Sequence, residues 1–225
     1  MPTMLSSPPA AQGLAALPLI DPVIPVSRAD PFDGAQWMFE PSYDGLRGFL
    51  HTSADGCAIR SQWITRFEGY AELCDRVARV TGAREAILDG DIVSLDARGR
   101  PDFRDLLKGR GFLAFAASDL LWLDGQDLRP LPLGERKRLL ADLLPLDTGP
   151  LYKVFSLAEH GRALFEATRK MELDGILAKR LSDPYGPETV WYRIRNPAYR
   201  QGEPRVDLPA SRARSRTPER GTSQG

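Results

Sequence analysis

The residues best suited to chemistry lie in short polar segments between apolar runs. Residues 39–48 read Phe-Glu-Pro-Ser-Tyr-Asp-Gly-Leu-Arg-Gly and place the hydroxyl of Ser42 among charged neighbours. A serine hydroxyl needs an adjacent base to become a nucleophile, and nothing in this segment supplies one. Taken alone, residues 43–47 are typical of a tight turn between two strands.

A second polar segment contains a pair of arginines. Residues 190–197 read Val-Trp-Tyr-Arg-Ile-Arg-Asn-Pro, and the pattern predicts a strand. Because side chains alternate along a strand, Arg193 and Arg195 share one face. Guanidinium groups can hold phosphate bidentately, but they cannot act as amine nucleophiles at neutral pH.

Three further segments combine carboxylates with apolar runs. They are residues 87–93 (Ile-Leu-Asp-Gly-Asp-Ile-Val), 117–125 (Ala-Ser-Asp-Leu-Leu-Trp-Leu-Asp-Gly) and 173–180 (Leu-Asp-Gly-Ile-Leu-Ala-Lys-Arg). Taken alone, the second of these and the residues after it indicate only a buried strand followed by a capped helix.

The elements that must position these segments follow from apolar runs bounded by turn signals. We predict strands at residues 37–39, 46–51, 58–61, 87–95 (broken at Asp89-Gly90), 112–122, 175–179 and 190–194. We predict helices at residues 67–79 (capping box Thr65 and Glu68), 134–144 and 157–170 (behind Ser156 and Glu159). Together they predict one α+β domain over residues 31–200.

The two ends of the chain differ from this domain in composition. Residues 1–30 are rich in Pro, Ala and Ser without helical or strand period, which predicts a leader that is either flexible or lies along the surface of the domain. Residues 201–225 are polar and rich in Arg, which predicts a disordered basic tail, either solvated or acting as a nonspecific phosphate-binding arm. We expect no signal peptide and no membrane span.

Charge and cysteine content limit the function further. Thirty basic and thirty acidic residues cancel, so no global field attracts the chain to nucleic acid or to a membrane, and such binding must use local patches. The only cysteines, Cys57 and Cys74, suit neither a disulfide framework nor a zinc site. We expect two ordinary thiols in a reducing, cytoplasmic compartment.

The five segments, in their order along the chain, resemble the signature motifs of the nucleotidyltransferase (adenylation) domain of ATP-dependent DNA ligases. The sequence of residues 120–125 is most similar to that of bacterial ligases of the end-joining repair type. The resemblance covers residues from about 18 to 200. It implies two packed, mainly antiparallel sheets flanked by helices in an ATP-grasp-like fold. It also implies a role in DNA repair and recombination, ATP with Mg²⁺ or Mn²⁺, and nicked duplex DNA as a partner.

The resemblance also implies roles for individual residues. Ser42 occupies the position of the nucleophilic lysine, whose amine attacks the α-phosphate of ATP and forms an AMP-lysine phosphoramidate. The implied nucleotide-binding residues are Glu40, Arg47, Asp91, Ser118, Lys179, Arg193 and Arg195. The implied metal-supporting residues are Asp91 and Asp174.

Departures from the family pattern concentrate on these functional positions. Ser42 replaces the lysine, and Ser118 replaces the aromatic residue that stacks on adenine. Asp91 and Asp174 stand where glutamates are usual, and Arg193 and Arg195 replace lysines. Because the covalent nucleophile is lost, we expect self-adenylation to be impaired or absent.

Several alternatives remain open at this level. Lys179 or Lys153 could act as a relocated nucleophile, or His51 could activate Ser42 across a hairpin, although a lone surface histidine is the simpler interpretation. Only 28 residues follow Pro197, so we expect no OB-fold domain in the chain, and a separate OB-fold or repair protein could complete it. The candidates are therefore an active ligase, an accessory protein that binds ATP or nicked DNA, and a decaying paralogue.

Overall fold

A computed structural model describes residues 17–61, 70–81, 84–97, 99–144 and 149–200. The strands are β1 (Val26–Ser27), β2 (Gly34–Ser42), β3 (Leu46–Ser53), β4 (Gly56–Arg60), β5 (Ala86–Leu95), β6 (Phe112–Leu123), β7 (Gln126–Asp127), β8 (Leu151–Lys153), β9 (Leu157–Glu159), β10 (Gly175–Arg180) and β11 (Tyr192–Arg195). The helices are α1 (Tyr70–Thr81), α2 (Phe103–Leu107), α3 (Leu133–Leu143) and α4 (Gly161–Lys170).

These strands form two sheets. One has the order β1-β11-β10-β2-β9, and the other has the order β4-β3-β5-β6-β7, with β8 pairing to β6. All pairs are antiparallel except β1 with β11 and β6 with β8. The predicted α+β class with two mainly antiparallel sheets is confirmed.

Helices pack against both sheets. A cluster containing Leu73 and Val77 of α1 and Leu140 of α3 packs against buried residues of the second sheet. On the first sheet, Leu164 and Phe165 of α4 pack against a cluster of β2, β10 and β11 side chains. Burial of these apolar faces supplies most of the stability that marginal helix propensities lack.

An irregular register in β6 positions one residue of interest. Asp119 pairs with Asp89 and Ala117 with Gly90, so Ser118 is an extra residue in a β-bulge. At Gly90 an added Cβ would lie 2.3 Å from the carbonyl oxygen of Ala116, so only glycine allows the strands to approach this closely. The predicted break at Asp89-Gly90 is therefore wrong, because β5 continues through it and the irregularity lies in its partner.

The helix predicted over residues 157–170 is also wrong at its start. Residues 157–159 form β9, in which Leu157 pairs with Phe39 and Ala158 with Met38, and α4 begins only at Gly161. The capping box predicted at Thr65 and Glu68 lies outside the described residues. Four short elements that the pattern did not predict are β1, α2, β7 and β8.

The predicted flexible leader is packed from residue 17 onward. Leu17, Ile20 and Val23 are buried in a cluster with Tyr185 and Trp191. Residues 1–16 and the tail predicted at residues 201–225 lie outside the described part of the chain. Cys57 and Cys74 are both free and half-buried. None of the described helices has the length and apolar character needed to cross a membrane.

Candidate functional site

A cleft between the two sheets gathers residues from all five segments. Six of the predicted site residues line it, and they are Glu40, Ser42, Arg47, Asp91, Ser118 and Arg193. Its other walls include Pro25, Pro41, Val154, Leu177 and Trp191. Residues far apart in sequence therefore line one cleft.

Ser42 ends strand β2 and is almost fully buried, with 2% of its surface exposed. Its hydroxyl donates a hydrogen bond of 2.9 Å to Oδ2 of Asp174. The two meet because Ser42 pairs in register with Gly175, the first residue of β10. The hydrogen-bond partner of Ser42 is thus a carboxylate 132 residues further along the chain.

The backbone around Asp174 is held by close packing of β10 on the end of β11. Gly175 has φ +144°, and a Cβ there would lie 2.1 Å from the carbonyl oxygen of Ile194, so glycine is required. The amide of Asn196 donates to the carbonyl oxygen of Asp174 at 2.7 Å. The side chain of Asn196 donates to the carbonyl oxygen of Leu173 at 3.0 Å. The carboxylate is consequently fixed beside Ser42.

Glu40 anchors a buried ion-pair cluster at one end of the cleft. Lys179 Nζ lies 2.7 Å from one carboxylate oxygen, and the ammonium of Lys137 on α3 contacts the other. Burial alone would raise the pKa of Glu40, but the two ammonium groups hold that pKa below its ordinary value. Burial also lowers the pKa of Lys137, despite the opposing effect of Glu40. Sequence reasoning missed Lys137, because it lies in a helix outside the five segments.

Lys179 is fully buried and does not line the cleft, although it contacts three residues that do, namely Glu40, Ser118 and Trp191. Its ammonium donates to Ser118 Oγ at 3.2 Å and lies 4.1 Å from the ring centroid of Trp191. Ser118, which the sequence resemblance implies as a nucleotide-binding position, thus presents a hydroxyl bonded to a buried lysine.

Arg47 is held at the floor of the cleft by a buried carboxylate. Its Nε and one terminal nitrogen donate to the two oxygens of Asp89 at 3.0 and 2.7 Å, and its other terminal nitrogen donates to the carbonyl oxygen of Val23 at 2.6 Å. Tyr185 donates its hydroxyl to the same carboxylate at 2.8 Å. Burial would raise the pKa of Asp89, but Arg47 holds that pKa below its ordinary value. Sequence reasoning did not assign Asp89 this role.

The predicted metal-supporting carboxylates are not in equivalent positions. Asp91 lines the cleft, whereas Asp174 bonds Ser42. Among the described residues, no group of three His, Cys, Asp or Glu side chains could hold a metal ion. A protein-only metal cage therefore does not fit, although Mg²⁺ commonly uses one or two carboxylates together with substrate phosphates.

The remaining predicted residues lie outside the cleft. Arg195 is exposed at the end of β11. Lys153, considered as a relocated nucleophile, donates to the carbonyl oxygen of Leu144 at 3.2 Å. The prediction that His51 is a surface histidine is wrong, because it is 1% exposed in the middle of β3, between Ala58 and Ile87. Burial, assisted by Arg60, lowers the pKa of His51 to about 4.

Comparison with known proteins places these features in a family. Residues 25–195 match the model of the ATP dependent DNA ligase domain. The multifunctional non-homologous end joining protein LigD of Pseudomonas aeruginosa is 39% identical over 162 residues, which is 67% of this chain and 19% of that protein. LigD of Mycolicibacterium smegmatis is 30% identical over 158 residues, which is 69% of this chain and 20% of that protein.

The solved structures agree with this assignment. A mycobacterial DNA ligase D complexed with ATP and MES has a TM-score of 0.63 and 27% identity, and the match covers 78% of this chain and 60% of that one. The ligase domain of LigD from M. tuberculosis has a TM-score of 0.59. The chain thus spans about a fifth of the length of the LigD proteins that it matches.

Proposed function

Since this chain belongs to the ATP-dependent DNA ligase family, we propose that it is a divergent member whose self-adenylation is impaired and which does not seal nicks by itself. The observation that carries this proposal is that a serine, Ser42, stands where the family has its nucleophilic lysine. The hydroxyl of Ser42 is bonded to Asp174. No lysine amine lines the cleft in the described part of the chain.

The chemical reason lies in the intermediate that nick sealing requires. An AMP-lysine phosphoramidate is reactive enough to pass AMP to the 5′-phosphate of a nick. An ester between AMP and a serine is an ordinary phosphodiester, which has no comparable transfer potential. A hydroxyl at position 42 therefore removes the transferable intermediate, whatever the rate at which it reacts.

Binding of ATP is the part of the family function that the cleft still supports. Arg193 and Arg47 supply guanidinium groups at its wall and floor, and Asp91 supplies a carboxylate that could hold Mg²⁺ or Mn²⁺ against nucleotide phosphates. Such a metal would neutralise charge that develops on the phosphates. We propose that ATP binds here more weakly than in relatives with an aromatic platform, because Ser118 offers no ring for stacking.

A second candidate function is that of a noncatalytic repair protein that binds ATP or nicked DNA in the cytoplasm, in association with the nucleoid. The observation that favours it is the retained positive charge of β11, where Arg193 lines the cleft and Arg195 is exposed next to it. Arginines at these positions still bind phosphate although they cannot act as nucleophiles. A separate OB-fold or repair protein is the proposed partner.

The test combines sealing with binding. Wild-type protein is incubated with a nicked duplex, ATP and Mg²⁺ or Mn²⁺, and the strands are separated by denaturing electrophoresis. We expect no sealed strand, together with a rise in melting temperature on addition of ATP, because a ligand that binds only the folded state stabilises it. Sealing by the wild-type protein alone would contradict the first proposal. If the second candidate function is correct, the protein should retard a nicked duplex more than an intact duplex in native electrophoresis.

A further inference from the structure

The contact between Ser42 and Asp174 has the geometry of an activated hydroxyl. The hydroxyl donates to the carboxylate at 2.9 Å, within the range in which a base can accept a proton from a nucleophile. Asp174 is half-buried, and its main chain is fixed by Gly175 and Asn196. Nucleophile, base and the groups that orient the base are thus all present.

The hydroxyl also lies in the cleft in which a nucleotide would bind. Ser42 shares the lining with Arg47, Asp91 and Arg193, the charged groups suited to phosphates and to a metal ion. A carboxylate can accept the proton when a hydroxyl attacks a phosphorus of ATP, since protein kinases use an Asp to take that proton from the hydroxyl of their substrate. A carboxylate is therefore an adequate base for a serine in this setting.

We propose that Ser42 accepts AMP from ATP in a slow, terminal reaction, an inference that rests on the proposed binding of ATP in the cleft. A bond forms between Ser42 Oγ and the α-phosphorus, and the bond from that phosphorus to the oxygen bridging the β-phosphorus breaks. The electron pair leaves with pyrophosphate, and the hydroxyl proton passes to Asp174. The products are seryl-AMP and pyrophosphate.

The product differs from the ligase intermediate in its fate. Seryl-AMP contains a P–O ester in place of a P–N bond, so it withstands acid that cleaves phosphoramidates and does not pass AMP to a DNA end. Each molecule of protein therefore reacts once, and the AMP remains in the cleft. The modified protein is a ligase domain with its nucleotide site permanently occupied.

The test uses the full chain incubated with ATP and Mg²⁺ and analysed by intact mass and peptide mapping. We expect one AMP per chain, located on Ser42, that survives acid treatment and is absent from Ser42→Ala. Asp174→Asn, which keeps the shape of the side chain but cannot take the proton, should slow labelling by about 100-fold or more. Asp174→Glu should restore part of it. Ser53→Ala, on β3 and outside the cleft lining, is the matched control and should label like the wild type.

Three results would overturn the inference. They are the absence of any adduct, an adduct in Ser42→Ala equal to that of the wild type, and labelling of Asp174→Asn at the wild-type rate. The change in melting temperature on addition of ATP shows whether only this inference fails or the proposed function fails as well. A shift without an adduct leaves ATP binding intact and refutes only the modification. Sealing of a nick by the wild-type protein refutes the proposed function itself.

Discussion

Replacing Asp89 by Asn removes the charge that faces Arg47 at the floor of the cleft. Asp89 is 1% exposed at its side chain and Arg47 is 15% exposed, so water can solvate the stranded guanidinium only in part. The amide of the variant can accept one of the two bonds from Arg47 at most, and its NH₂ group faces a donor. The variant therefore holds an uncompensated buried cation.

The expected loss follows from burial. Removing one partner of a buried ion pair costs about 3–5 kcal/mol. Because Arg47 is partly exposed, we expect the loss for this variant to lie at the lower end, about 3 kcal/mol. A domain of this size is stable by only about 5–15 kcal/mol, so the variant should lose a large part of its free energy of unfolding. Tyr185 retains an acceptor in the amide oxygen, and its hydrogen bond adds little to the loss.

The chain offers a matched control in Asp127→Asn. Asp127 also accepts two bonds from one arginine, Arg129, at 2.8 and 2.7 Å, but both side chains are about one-third exposed. An exposed pair contributes about 0–1 kcal/mol. Urea denaturation of both variants at pH 7 should therefore show a difference of at least about 2 kcal/mol. Equal losses would refute the reasoning that burial, and not contact geometry, sets the energy of these pairs.

Two further predictions concern stability around the site. Burial lowers the pKa of His51 from 6.5 to about 4, so His51 is protonated at a higher pH in the unfolded protein than in the folded protein. The free energy of unfolding should therefore fall by up to about 3 kcal/mol as pH drops from 6.5 towards 4. His51→Leu should flatten that slope in urea titrations at pH 7 and pH 5, and an unchanged slope would show that His51 is not its source. Gly90→Ala should cost about 1–3 kcal/mol because its Cβ meets the main chain of Ala116, whereas Gly186→Ala, which has open space, should stay within about 0.5 kcal/mol. Equal melting temperatures for these two glycine variants would contradict the close strand approach at Gly90.

Much of the fold was predictable because its long elements follow their own periodicity. The predicted strand over residues 112–122 corresponds to β6, and the predicted helix over residues 134–144 corresponds to α3 within one residue at each end. Short edge elements were not predictable in the same way. Residues 157–159 carry a helix-start pattern, yet Leu157 pairs with Phe39 because tertiary contacts outweigh local propensity.

The segment before the domain, residues 1–30, shows where sequence patterns fail to predict packing. Its many prolines and small residues predict flexibility, yet Leu17, Ile20 and Val23 are buried against Tyr185 and Trp191. Three apolar side chains at irregular spacing carry no periodic signal, so only the partner surface reveals that they pack.

The site was predictable as a set of positions but not as a set of contacts. The resemblance of the five segments selected Ser42, Arg47, Asp91 and Arg193, and these four residues line one cleft. The hydrogen bond between Ser42 and Asp174 depends on the pairing of β2 with β10, which no local pattern fixes. Lys137 was missed for the same reason, since its role depends on how α3 docks.

A second buried ion pair also holds α3 against the sheet. Arg136 donates from Nε and from a terminal nitrogen to the two oxygens of Asp119, both at 2.9 Å, and both side chains are almost completely buried. This pair fixes α3 beside the bulge at Ser118, and so brings the ammonium of Lys137 to Glu40.

The most direct test of the central claim is the Ser42→Lys variant. If the missing amine is what impairs self-adenylation, incubation of this variant with α-labelled ATP and Mg²⁺ should yield an acid-labile AMP adduct on residue 42. Any label on Ser42 of the wild-type protein should instead be acid-stable. A variant that binds ATP but gains no such adduct would contradict the claim, and would assign the impairment to the altered platform and carboxylate positions at Ser118 and Asp174.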